Sequence, residues 1–164
     1  MNFFRKFKTI KWMIIILIFA LAAGLAYRWQ AEKKAEAMAK SSAVISRQSD
    51  YMLLARVVSG EARGEPYLGQ VAVAAVVINR AKSPKFPNTI PGVVYQPGAF
   101  ESVSNGQIWA QHPTRSNFNA ARDALNGFDP TYGSLFFWNP YKRVSSWIWS
   151  RPIVTQIGKH VFGR

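Results

Sequence analysis

Cysteine is missing altogether from the 164 residues, which excludes a disulfide framework, a thiolate nucleophile and any metal site built on sulfur. Acids are scarce: 8 Asp plus Glu stand against 21 Lys plus Arg, a formal net charge of +13. That excess suits nucleic acid, anionic lipid head groups or an acidic polymer such as cell wall, and charge alone does not choose among them. Nucleic acid is the weakest of the three, because 9 of the 21 positive residues lie at or before Arg47, where they serve topology and a stalk; no nucleic-acid partner is expected. The two histidines, His112 and His160, are far apart in sequence and have no cysteines or clustered acids around them, so neither a metal nor a cofactor is expected. No Gly-rich phosphate loop follows a strand, and no serine stands in a nucleophile-elbow sequence. The available chemistry is that of carboxyl groups.

Arg5, Lys6, Lys8 and Lys11 precede an uncharged apolar stretch from Met13 to Tyr27, flanked by Trp12 and Trp29 and closed by Arg28. Fifteen helical residues reach only about 22 Å, short of a hydrocarbon core of roughly 30 Å, so Lys11 and Arg28 must snorkel and the aromatic rings must sit at the interfaces. Residues 10–29 are therefore expected to contact the membrane. Positive charge ahead of the apolar run predicts a cytoplasmic N-terminus and an extracytoplasmic remainder. The same apolar length also fits a cleaved signal peptide, with Gly24-Leu25-Ala26 or Ala37-Met38-Ala39 as cleavage sites. Both readings export the rest of the chain. The polar, Ala-, Lys-, Glu- and Ser-rich stretch that follows reads as a solvated stalk. The expected division is residues 1–29 as tail and anchor or signal, 30–49 as stalk, and 50–164 as a single catalytic domain.

The last part, roughly 110 residues, can support one core that buries about two thirds of its unfolded surface. Asp50 is a candidate N-cap for a helix through Glu61, which Gly60 and Gly64 then loosen. Glu65-Pro66 opens a second helix to Asn79 that is apolar on every side from Val71 to Ile78, hence buried and central. Pro84, Pro87, Pro91 and Pro97-Gly98 predict short extended pieces, and Asn117 to Asn126 a third helix. Leu135–Trp138, Trp147–Trp149 and Ile153–Phe162 read as strands. The class is α+β, with helices packed beside a small sheet.

Leu54, Val57, Val58 and Glu61 recur at helical spacing, so Glu61 extends an apolar stripe. A carboxyl in such a place is held back from ionising, which is what a general acid needs. Glu65 lies one turn on. It reads either as the second carboxylate of a glycosidase or as a structural group at a helix start. Glu101 reads as an exposed turn residue with a cleft as the alternative, and Asp123 as part of a solvated helix face. The many rings of the second half suit sugar binding, since pyranose faces stack on them, though core packing serves as well.

The run Ala55-Arg56-Val57-Val58-Ser59-Gly60-Glu61-Ala62-Arg63-Gly64-Glu65-Pro66, then Gly69 to Val76 and Asn79-Arg80, resembles the spore cortex-lytic enzyme family of cell-wall hydrolases. Phe86-Pro87, Tyr95-Gln96-Pro97-Gly98-Ala99-Phe100, Trp147-Ile148-Trp149 and Ile157 to Phe162 extend the resemblance over nearly all of residues 50–162. It implies a small lysozyme-like domain, its helices beside a short antiparallel sheet, cutting peptidoglycan glycan strands between N-acetylmuramic acid and N-acetylglucosamine. Glu61 corresponds to the acid/base. The resemblance also implies lytic transglycosylase chemistry, in which the muramoyl C6 hydroxyl closes on C1 to leave a 1,6-anhydro end. The alternatives are simple hydrolysis and a non-catalytic wall tether. Expected substrate contacts are Glu65, Tyr95, Gln96, Phe100, Trp138 and Trp147. Spore enzymes of the family often carry a separate wall-binding module, whereas here a stalk and membrane segment precede the domain, which leaves open both a spore role and any activating protein.

Overall fold

The computed structural model describes the helical backbone from Phe3 and side chains from Trp12 to Arg164. The chain divides into two compact units, Met1–Ser46 and Arg47–Arg164. Arg5, Lys6, Lys8 and Lys11, on which the expected orientation rests, have side chains outside the described residues, as does Ile10 at the start of the expected membrane segment.

From Phe3 onward the first unit is part of helix α1, Phe3–Glu61. It holds a window of 18 residues apolar enough by length and composition to cross a membrane, none of it covered by protein. The stretch read as a stalk, residues 30–49, is solvent-exposed throughout. It is helical, and Asp50 lies inside α1 rather than capping it. The reason is composition: between Gly24 and Gly60 there is neither Gly nor Pro, and Ala, Lys, Glu and Gln are strong helix formers.

In the second unit, helix α2 (Tyr67–Lys82) is the central element, buried without interruption from Val71 to Val77. Helix α6 (Arg115–Leu125) packs along it, joined by Leu54, Val57 and Val58 of α1, Val93 and Val94 of the short helix α3 (Ile90–Val94), and the fully buried Phe162. Helix α6 begins two residues earlier than expected, because Thr114 rather than Asn117 is the cap. The Thr114 hydroxyl accepts from Asn117 N–H, and Asn117 Oδ1 accepts from Thr114 N–H at 2.8 Å.

The proline-rich stretch from Pro84 to Gly98 is also more helical than expected, since it holds α3; two further short helices, α4 (Glu101–Ser104) and α5 (Gln107–Ala110), follow it. Pro91 stands in the first turn of α3, where its missing N–H has no consequence, and Thr89 caps that turn. Trp147–Trp149 is likewise not a strand but part of a 3-10 helix, Ser146–Ser150. Buried Ile148 between two exposed rings imitates strand alternation, yet Ile148 N–H bonds Ser145 O and Arg151 N–H bonds Ile148 O, so the chain coils locally.

The sheet comprises β1 (Phe136–Trp138), β2 (Ile153–Ile157) and β3 (His160–Gly163), antiparallel in the order β1-β3-β2. Two carboxylates tie these pieces to the helices. Asp129 accepts from Thr131 N–H and Gly133 N–H at 2.8 Å, from the Thr131 hydroxyl at 2.6 Å and from Asn79 of α2 at 2.9 Å. Glu65 accepts from Lys159 N–H at 2.9 Å in the β2–β3 turn. That turn requires Gly158, whose φ is +60° and whose missing Cβ would overlap Glu65 Oε2 and lie 2.8 Å from Pro66 Cδ.

Gly158→Ala is expected to cost about 2 kcal/mol or more, from left-handed backbone strain plus the clash, read by thermal denaturation. Burial pushes the Asp129 carboxyl up, but its bonds from Thr131, Asn79 and Gly133 outweigh this and leave it below the ordinary value. Its contribution is therefore complete above the unfolded value of about 4 and is lost as pH falls through the folded one. Asp129→Asn should be less stable than the parent at pH 7, with the gap between their denaturation midpoints narrowing towards pH 3. An equal gap at both pH values contradicts the assignment.

Candidate active site

Glu61 is the last residue of α1, one turn beyond buried Val57 and Val58, and is itself half-buried. Gly60 before it does not loosen the helix. It removes a side chain where α4 crosses, since a Cβ there would overlap Ser102 Cβ and lie 2.6 Å from Ser102 Oγ. The close approach lets Ser102 N–H, left free at the start of α4, donate to Glu61 Oε1 at 2.8 Å. Among the described residues no other hydrogen bond engages this carboxyl group. Its second oxygen is thus available to a ligand.

Arg80 of α2 lies beneath. Its Nε donates to Leu135 O at 2.7 Å, and its guanidinium stacks within 5.2 Å of the Phe100 ring, 5.4 Å of Phe86 and 5.7 Å of Phe136. Burial pushes Arg80 down to about 10, opposed by the negative charge of Glu61. At neutral pH it is a fixed cation within electrostatic reach of that carboxylate.

Glu61 opens into a cavity of about 390 Å³. Glu101 and Ser102 form one part of its wall, Phe137 and Trp138 of β1 another, and Asn139, Lys142 and Arg143 of the following turn a third, with His160 of β3 also lining it. Buried side-chain polar atoms without a partner number three among the described residues, Ser102 Oγ, Trp138 Nε1 and His160 Nδ1, and all three residues line this cavity. The unpaired atoms themselves are closed to solvent, and His160 Nδ1 lies 3.9 Å from Glu65, which does not line the cavity. Burial holds His160 below the ordinary histidine value; Glu65 opposes this and Lys142 adds to it. The imidazole is neutral at pH 7.

The other expected contacts are dispersed. Glu65, only 8% exposed, does not line the Glu61 cavity. Its carboxylate faces the β2–β3 turn, 3.9 Å from His160 Nδ1, and borders a separate cavity of about 540 Å³ with Arg63, Gln70 and His112. That cavity is larger, and its one carboxylate accepts from Lys159 N–H. Tyr95 lies on an apolar groove with Met52, Arg56 and Trp109. Gln96 is half-buried and lines neither cavity, and Phe100 is 2% exposed in the core, stacked under Arg80. Trp147 packs on Phe136 and Arg151, outside the cavity. Of the expected contacts, Trp138 joins Glu61.

Sequence reasoning missed Ser102, Lys142, Arg143 and His160, and it weighed Glu101 chiefly as a solvent-facing turn residue; Glu101 is exposed and also lines the cavity. The glycine directly before Glu61 was the one local signal of a close neighbour. Among the described residues no group of acids and histidines could hold a metal ion.

The comparisons with known proteins bear on this arrangement. Residues 64–163 match the family described as Cell Wall Hydrolase, a span that begins just after Glu61. The chain is 52% identical over 115 residues to a spore cortex-lytic enzyme of Bacillus cereus, covering 70% of this chain and 44% of that protein. It therefore spans less than half the length of that relative. The crystal structure of the catalytic domain of the Bacillus cereus SleB protein superposes with a TM-score of 0.67 at 51% identity, covering 71% of this chain and 91% of the other. The catalytic domain of the germination-specific lytic transglycosylase SleB from Bacillus anthracis gives 0.68 at 50% identity, with 71% and 95% covered. With its helices and three-stranded antiparallel sheet matching those domains, the chain belongs to the cell wall hydrolase family.

Proposed function

We propose that this protein is a membrane-anchored lytic enzyme that cuts peptidoglycan glycan strands between N-acetylmuramic acid and N-acetylglucosamine, with Glu61 as its acid. The observation that carries the reading is the Glu61 carboxyl group, fixed through one oxygen by Ser102 N–H, in a cavity also lined by Glu101, Trp138, Asn139 and two cations. Glu101, Gln107 and Asn139 supply polar groups to the amides and hydroxyls of acetylated sugars, and Trp138 offers a ring to a pyranose face.

In the transglycosylase route Glu61 protonates the glycosidic oxygen as the C1–O bond breaks. The C6 hydroxyl of the same muramoyl residue then bonds to C1 and yields its proton to the Glu61 carboxylate, which restores the acid. No water is consumed, and one carboxyl group serves both steps. Ser102 N–H donates to the carboxylate formed, and the Arg80 cation acts on it through space. Support for this outcome comes from the Bacillus anthracis relative, which is described as a lytic transglycosylase. Simple hydrolysis is the second reading, favoured by Glu101 in the same cavity as a candidate base for water.

The membrane part of the proposal rests on the uncovered apolar window within α1, with the second unit outside the cytoplasm. A single-pass anchor raises local concentration at nearby wall without a separate wall-binding module.

Glu61→Gln should fold with an unchanged melting temperature and release wall fragments at least about 100-fold more slowly. Mass spectrometry of parental digests should show 1,6-anhydro ends, and Glu101→Gln should leave the rate within a few-fold of the parent. Reducing ends, lost on Glu101→Gln, would establish hydrolysis instead. The full chain should pellet with membranes and resist alkaline extraction, while a chain lacking residues 1–29 should be soluble. A full chain freed by alkali would contradict the anchor.

A further inference from the structure

The turn after β1 brings two cations to the Glu61 cavity. Asn139 shapes it, its Oδ1 accepting from Tyr141 N–H at 2.9 Å and its carbonyl from Lys142 N–H at 3.1 Å. Lys142 and Arg143 follow, both exposed and both lining the cavity. Among the described residues neither forms an ion pair, although Glu61 and Glu101 share that wall. The charge of Lys142 is felt at His160 across the cavity.

A glycan backbone of acetylated amino sugars is uncharged and gives two cations nothing to bind. The muramoyl residue differs from its neighbour by an ether-linked lactyl group on C3, which ends in a carboxylate or in a peptide bearing several. Under the reading above, this residue places C1 at Glu61. Its C3 substituent then leaves the same ring, within a ring's width of the reacting atoms. A cavity that admits the reacting sugar must admit the start of that substituent.

We propose that Lys142 and Arg143 are specificity-determining residues that recognise the carboxylates of the muramoyl C3 substituent, so that strands bearing acidic stem peptides are preferred over strands with a neutral substituent. This rests on the lytic reading of the Glu61 cavity. The contacts are solvent-exposed and therefore weaken with salt. Each contributes a factor of about three at low ionic strength, together about tenfold.

The test uses the full chain in detergent micelles, as parent and as Lys142→Ala/Arg143→Ala, on sacculi freed of phosphate polymers, so that carboxylates are the remaining anions. One half of the sacculi is left untreated and the other has its carboxylates capped as methylamides. The parent should show kcat/KM about tenfold higher on untreated wall at low salt, carried by KM, with the preference shrinking as salt rises. In the double variant the ratio should fall to near one. A variant that keeps the parental ratio, or a parent without a preference, overturns the proposal. Co-sedimentation with the same two walls separates this from the lytic reading. If the parent cuts neither wall but its binding preference disappears in the variant, anion recognition stands and the lytic reading falls.

Discussion

The organisation of the second unit depends on one constraint: α2 is apolar on every side and must be covered on every side. A helix with a single apolar stripe needs one neighbour, but Val71–Ile78 needs a shell. Helix α6, α3, the C-terminal turns of α1 and the inner face of the sheet supply it. Each covering element presents its polar side outward, and the Glu61 cavity lies where α1, α4 and the sheet meet above Arg80 of α2.

Covering α2 also explains why a cation lies so deep. Arg80 takes the last buried position of that helix, and its planar guanidinium is accommodated by three rings and one carbonyl rather than by a close carboxylate. Arg suits such a place better than Lys, because it is more weakly hydrated and stacks on aromatic faces. The consequence is an electrostatic floor under Glu61. Gly60 adds the complementary constraint from above, since only the absence of a side chain brings the Ser102 amide to the carboxyl group. The Glu61 carboxyl group is thus held by a backbone donor, with a buried cation within electrostatic reach.

The two glutamates of the Gly-Glu-Ala-Arg-Gly-Glu run show how similar residues separate in role. Glu61 ends α1 on the stripe that faces the core and the cavity. Glu65 follows Gly64, whose φ of +77° turns the chain away, and its carboxylate secures the β2–β3 turn at Lys159. One carboxyl group faces the cavity and the other the β2–β3 turn. His160 lies near both, lining the cavity of one and standing 3.9 Å from the other.

Sequence by itself determined what periodicity and composition control. The buried central helix follows from an unbroken apolar run, the apolar N-terminal window from fifteen uncharged residues, the α+β class from helical periods followed by aromatic-rich strands, and the half-buried position of Glu61 from its place on a stripe. Local rules misjudged the segments in which two reasonable preferences compete. Prolines made helix starts look extended, and a run of Trp and Ile made a 3-10 turn look like a strand. Only tertiary structure decided the membership of the cavity. Ser102, Lys142 and His160 lie 41 or more residues beyond Glu61 in sequence, and their meeting depends on how α4 and the sheet close over α2, which no local period encodes. Phe100 and Trp138 both read as rings for sugar, but packing placed one under Arg80 and the other on the cavity wall, because burial is settled by what covers a residue and not by its type.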